Sequence, residues 1–113
     1  MKLADYKSMR EYLKTLKADI DGPVYESVEL AEKIAAYLYE QKITCPGGVS
    51  HSYDDGVSLH WGAWTLFIPG DSCIEPYARH GGDKHTHSWP VLLHIIDNAV
   101  RPAEIMMSKG DKR

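Results

Sequence analysis

Apolar and polar positions alternate with period two along residues 49–68, VSHSYDDGVSLHWGAWTLFI. Within that stretch Trp61 and Trp64 flank Gly62-Ala63. A glycine at the first of two loop positions suits a tight type II′ hairpin. That turn pairs Trp61 with Trp64, Leu59 with Leu66 and Val57 with Ile68, all on one face. Ser58, His60, Thr65 and Phe67 fall on the other face, and a one-residue slip would mix the two sets. Upstream, Asp54-Asp55-Gly56 reads as a turn. A three-residue loop there opposes Tyr53 to Val57, His51 to Leu59 and Val49 to Trp61, and turns Val49, His51 and Tyr53 to the apolar face. A two-residue loop at Asp55-Gly56 would turn Ser50 and Ser52 there instead, a poorer core, so the three-residue reading is preferred.

On either side of the hairpins the period changes to that of a helix. In residues 3–20, Tyr6, Met9, Leu13, Leu16 and Ile20 form one stripe. Lys7, Arg10, Lys14 and Lys17 lie off it, interleaved with Asp5, Glu11 and Asp19, which describes a solvated helix face better than a basic binding face. Asp21-Gly22-Pro23 stops this helix. Residues 26–42 form a second, with Ser27 as N-cap, Leu30, Ala31, Ile34, Ala35 and Leu38 as the buried stripe, and Tyr37 and Tyr39 at its edge. The short connection predicts an antiparallel helix pair. After Ile68, residues 73–78 read as a returning strand, placed at the sheet edge because Pro76 cannot donate to a ladder. Residues 79–87, RHGGDKHTH, have no period and read as a loop. Ser88 then caps a third helix, Pro90 sits in its first turn, and Trp89, Leu92, Leu93, Ile96 and Val100 form its stripe, widened by Val91 and Ile95. Pro102 ends or kinks that helix, and residues 103–107 add a short turn.

The elements together predict an α+β fold: two N-terminal helices, an antiparallel sheet of three or four strands, and one C-terminal helix. Residues 1–107 form the single domain and residues 108–113 a charged tail. No apolar run approaches the ~20 residues of a membrane span. The charged start, MKLADYKSMREYLK, lacks the apolar centre of a secretion signal, so a cytoplasmic location is expected and no membrane contact. Cys45 and Cys73, the only cysteines, are expected as reduced thiols. The net charge of −3 argues against a nucleic-acid partner.

Candidate chemistry is sparse. His85-Thr86-His87 is the sharpest local feature, and with His80 and Asp83 it would supply nitrogen and oxygen ligands for zinc. A solvated polar loop accounts for the same residues, so no metal and no cofactor are expected, with His80, Asp83, His85 and His87 held as the alternative. His94 and His51 read as packed histidines, and neither cysteine stands at a recognisable helix N-terminus. Asp54-Asp55 is explained by the turn, and Gly81-Gly82 lacks the Lys-Ser/Thr of a phosphate-binding loop. No catalytic residue is assigned.

If the helices cover one side of the sheet, the other exposes a surface. His60, Thr65, Phe67, Tyr77, Arg79 and Lys84 are its candidate partner-binding residues, and Phe67, the only phenylalanine, suits an interface anchor. Two readings compete: the third helix covers that face and makes Phe67 a core residue, or the face joins two copies in a homodimer.

The order of a helix, Cys45-Pro46, a strand, Asp55-Gly56, Val57-Ser58-Leu59-His60-Trp61 and the returning Leu66-Phe67-Ile68 resembles a scattered group of small uncharacterised α+β proteins of bacteria and their phages. The resemblance spans residues 26–68. It implies the fold and transfers no activity. The position before the tryptophan is often acidic in that pattern and is His60 here. Three functions remain: a small non-enzymatic protein-binding module, such as a phage or mobile-element inhibitor of a host protein; a metal-dependent hydrolase or nuclease using the His-rich loop; and a bare structural or oligomerisation domain.

Overall fold

The structure, a computed structural model, describes residues 5–52, 54–71 and 73–111, with side chains as far as Arg101. Three helices, α1 (Tyr6–Ala18), α2 (Tyr25–Glu40) and α3 (Trp89–Asp111), pack on a five-stranded antiparallel sheet. Its strands are β1 (Gly48–His51), β2 (Val57–Trp61), β3 (Trp64–Ile68), β4 (Tyr77–His80) and β5 (Asp83–His85), in the simple order β1-β2-β3-β4-β5. The fold is α+β, with one strand more than the sequence suggested. Among the described residues no helix is long and apolar enough to cross a membrane.

The β2–β3 register is the one the alternation dictates: Val57 opposes Ile68, Leu59 opposes Leu66 and Trp61 opposes Trp64. Gly62 supplies the turn with a φ of 58°. The β1–β2 register differs from expectation by two residues, with Val49 opposite Leu59 and His51 opposite Val57. The loop is therefore residues 52–56, longer than the three-residue reading. The cause lies in the turn. The Gly56 N–H donates to Asp54 Oδ1 at 3.1 Å, the Asp55 N–H to the Ser52 carbonyl, and Asp55 takes a φ of 64°. A shift of two keeps every side chain on its face, so Val49 is buried as expected. His51 ends the strand exposed, with Nε2 3.1 Å from Asp55 Oδ1, not packed in the core. Tyr53 lies outside the described residues.

The C-terminal half of the sheet also departs from expectation in two places. Residues 79–87 are not a loop. They hold the end of β4 and all of β5, with His80 opposite Asp83 across a Gly81-Gly82 turn in which Gly81 has φ 60°. Gly-Gly between two short strands is a hairpin signal, masked here because the residues on either side of it, Arg79-His80 and Asp83-Lys84-His85, are all polar. β4 is accordingly an interior strand, and Pro76 precedes it instead of marking an edge.

Val49, Val57, Leu59, Trp61, Trp64, Leu66, Ile68 and Ala78 form the buried face of the sheet. They share one core with Met9, Leu13 and Leu16 of α1, Val28, Ala31, Ile34, Ala35 and Leu38 of α2, and Leu92, Leu93 and Ile96 of α3. The third helix thus lies on the same side as the second. Removing that apolar area from water supplies the main driving force for folding.

The helix boundaries follow local chemistry. Asp5 caps α1, accepting from the Ser8 N–H at 2.8 Å; that bond lowers the carboxyl's pKa from its ordinary 3.8. The helix ends at Ala18, and extended backbone at Asp19 carries Ile20 out of the stripe to 99% exposure. Ser27 is not the cap of α2, which starts at Tyr25. Its buried hydroxyl instead donates to the Pro69 carbonyl at 2.7 Å, binding the helix to the β3–β4 connection. Ser88 precedes α3, its carbonyl accepting from the Leu92 N–H. Pro102 does not end α3, which runs on to Asp111.

Candidate functional site

The sheet register sorts the remaining strand side chains onto the second face. Ser50 opposes Ser58, Ser58 opposes Phe67, His60 opposes Thr65, Thr65 opposes Arg79, Phe67 opposes Tyr77, and Arg79 opposes Lys84. His60, Thr65, Phe67, Tyr77, Arg79 and Lys84 are thereby brought onto one surface. Among the described residues no helix packs over it: His60, Thr65, Phe67 and Tyr77 are half-buried, and Arg79 and Lys84 are exposed. Phe67 is not part of the core that α3 helps to close.

This face has two chemically distinct halves. Over β1 and β2 it is a hydroxyl network. The Ser50 hydroxyl and His60 Nε2 share a hydrogen bond of 2.8 Å, Thr65 Oγ1 lies 3.3 Å from His60 Nδ1, and the Ser52 and Ser58 hydroxyls bond each other. Burial pushes the His60 imidazole below its ordinary value of 6.5, because the charged ring would lose water. The His60 ring is held between two hydroxyls. The sequence register already set Ser50 opposite His60; in the structure Ser50 opposes Ser58 and reaches His60 diagonally across the β1–β2 pair.

Over β4 and β5 the face is aromatic and cationic. The Phe67 and Tyr77 rings stack with centroids 5.2 Å apart and planes 21° apart. Lys84 Nζ lies 4.5 Å from the Tyr77 ring centroid, and the Arg79 guanidinium carbon 6.0 Å from it. Cations over an aromatic face are held by the ring quadrupole, an attraction of roughly 0.5–1 kcal/mol at exposed sites. A shallow depression of about 190 Å³, lined by Ile74, Glu75, Pro76, Tyr77, Lys84, Thr86 and His87, continues this half toward the β3–β4 loop.

The alternative site of His80, Asp83, His85 and His87 takes a different form. His80 and His85 lie against the indole of Trp64, with ring centroids 4.6 and 5.1 Å from it, on the core side of the sheet edge. His87 follows β5 and is exposed. Among the described residues no three His, Cys, Asp or Glu side chains converge to hold a metal ion. The two histidines shield one edge of the core.

Cys45 and Cys73 are both free thiols, the first half-buried and the second exposed. Burial pushes the Cys45 thiol up to about 11, which leaves little thiolate for nucleophilic chemistry. His94 is exposed on α3, with Nε2 2.8 Å from the Tyr37 hydroxyl, so it is bonded as expected but not enclosed. Comparison with protein-family models, curated proteins and solved structures finds no match to this chain.

Proposed function

We propose that this chain is a small non-enzymatic module that binds another protein through the second face of its sheet, occupying a partner surface as an inhibitor or adaptor does. One observation carries the reading: three helices are spent on one side of the sheet, while the other presents the Phe67–Tyr77 stack flanked by Arg79 and Lys84. Aromatic rings and arginine, partly desolvated and rimmed by polar groups, are the residue types that dominate interface energetics. The surface is shallow, which suits a protein better than a small substrate. His60 fits a structural part: its ring nitrogens are taken up by Ser50 and Thr65.

The test is capture from a lysate of the source organism with Phe67→Asp beside the parent protein. The variant is expected to stay folded and to lose capture by roughly 30-fold or more, the loss of one interface hot spot. A folded variant that captures the same partner equally well places the site elsewhere. One that unfolds makes Phe67 a core residue.

A further inference from the structure

We infer that the partner presents an acidic segment, received by Arg79 and Lys84 over the aromatic stack. This rests on the binding role proposed above and specifies its chemistry. Arg79 and Lys84 are directly opposed across the β4–β5 pair, an arrangement that is repulsive between like charges. Among the described residues no carboxylate forms an ion pair with either. The paired strand positions of this face carry Ser50, Ser58, His60, Thr65, Phe67, Tyr77, Arg79 and Lys84, with no Asp or Glu, although the chain holds 16 acidic residues. Glu75 lines the same shallow depression as Lys84 but forms no ion pair with it. Among the described residues a chain of net charge −3 therefore keeps the paired positions of its open sheet face free of carboxylates and sets on it two cations that no carboxylate pairs. A carboxylate-bearing segment supplies the missing counter-charges, while Phe67 and Tyr77 supply contact area.

Single-stranded nucleic acid is the other anionic occupant, and the geometry disfavours it. Base stacking needs an open ring face. Here Phe67 and Tyr77 stack on each other and Lys84 lies over Tyr77. Two cations on an acidic protein also neutralise few phosphates. A second copy is disfavoured because self-complementary docking brings the same cations together.

The experiment selects binders from a random dodecapeptide library with the full chain. The selected peptides, and a ten-nucleotide thymidine strand, are then titrated into isotope-labelled protein while backbone amide shifts are followed. The expected result is acidic peptides that shift Thr65, Phe67, Tyr77, Arg79 and Lys84. Binding should weaken ~10-fold in the double variant Arg79→Gln, Lys84→Gln, and several-fold as salt is raised. Neutral or basic peptides on the same face overturn the acidic assignment and leave the binding face standing. Peptides that map elsewhere, or none recovered, overturn both. Tighter binding of the thymidine strand to this face, or concentration-dependent self-association through it, overturns the assignment in favour of nucleic acid or a second copy.

Discussion

Leu66 and Phe67 are neighbours of similar hydrophobicity with opposite roles, because successive strand residues point to opposite faces. Leu66 is fully buried between Leu59 and Ala78, so Leu66→Ala leaves a cavity and is expected to cost about 2–5 kcal/mol in urea unfolding. Phe67 loses only a half-exposed stacking partner, and Phe67→Asp is expected to cost less than about 2 kcal/mol in the same measurement. Equal losses would mean that the two faces are equally buried. Gly56 is constrained differently. A Cβ there would sit 2.1 Å from the Ile68 carbonyl oxygen and 2.9 Å from the Gly70 nitrogen, both backbone atoms that cannot move aside cheaply. Gly56→Ala is expected to destabilise by at least ~1–3 kcal/mol, read as a lowered urea midpoint with unchanged slope.

At the scale of elements, the connection from α2 to β1 shows how helices are fixed to the sheet. The Ile43 N–H donates to the Leu38 carbonyl and the Lys42 N–H to the Tyr39 carbonyl, which together close α2 in a Schellman motif. Lys42 takes the left-handed position with φ 55°, where glycine is usual. Lys42→Gly is expected to raise stability by roughly 0.5–1 kcal/mol, since relief of the left-handed cost outweighs the greater freedom of the unfolded chain. Beyond the cap, Asp97 of α3 accepts from the Thr44 N–H at 3.1 Å and from Arg101, which also donates to the Lys42 carbonyl. Burial works against the charged carboxylate, but the Thr44 and Arg101 bonds outweigh it and hold Asp97 below the ordinary 3.8. A folded-state value below the unfolded one contributes stability that is full above pH 3.8 and is lost as pH falls through the lowered value. Asp97→Asn should therefore flatten the acid limb of a pH–stability curve. An unchanged acid limb would show that the link between α3 and the α2–β1 connection contributes no charge-dependent stability.

For the whole molecule, the central pair β2–β3 lies between strands on both sides and under the helices, whereas β1 and β5 are the edges. Opening free energy rises with burial and with the number of neighbours that must separate. In native-state hydrogen exchange the ladder amides of β2 and β3 are expected to be the slowest, with β5 far less protected. β5 amides as slow as those of β3 would mean that the β5 edge of the sheet is covered in solution. The candidate surface is itself a whole-molecule property. It exists because the helices carry enough apolar side chains for one face of the sheet, and all three pack there.

The alternation of residues 57–68 determined the central hairpin, its register and its face assignment without help, because a period of two with large apolar residues on one side tolerates no slip. It also placed His60, Thr65 and Phe67 together, and the placing of Tyr77 beside Phe67 followed once β4 paired with β3. Tertiary structure decided what carries no hydrophobic period. The β4–β5 hairpin has no hydrophobic period across its turn, since only Tyr77 and Ala78 at its start are apolar, so its packing beside β3 and the Gly81-Gly82 turn reveal it, and with it the opposition of Arg79 and Lys84. Ile20 belonged to the α1 stripe by spacing alone and left it because the helix stopped two residues early, at Ala18. Ser27 read as a cap and became a tether to Pro69, 42 residues away, through a bond that no local pattern encodes. The choice of face for α3 was open in a sequence apolar on several sides. Leu92, Leu93 and Ile96 settled it by closing over the core that α2 had already begun, where more apolar surface leaves water than on the polar side of the sheet.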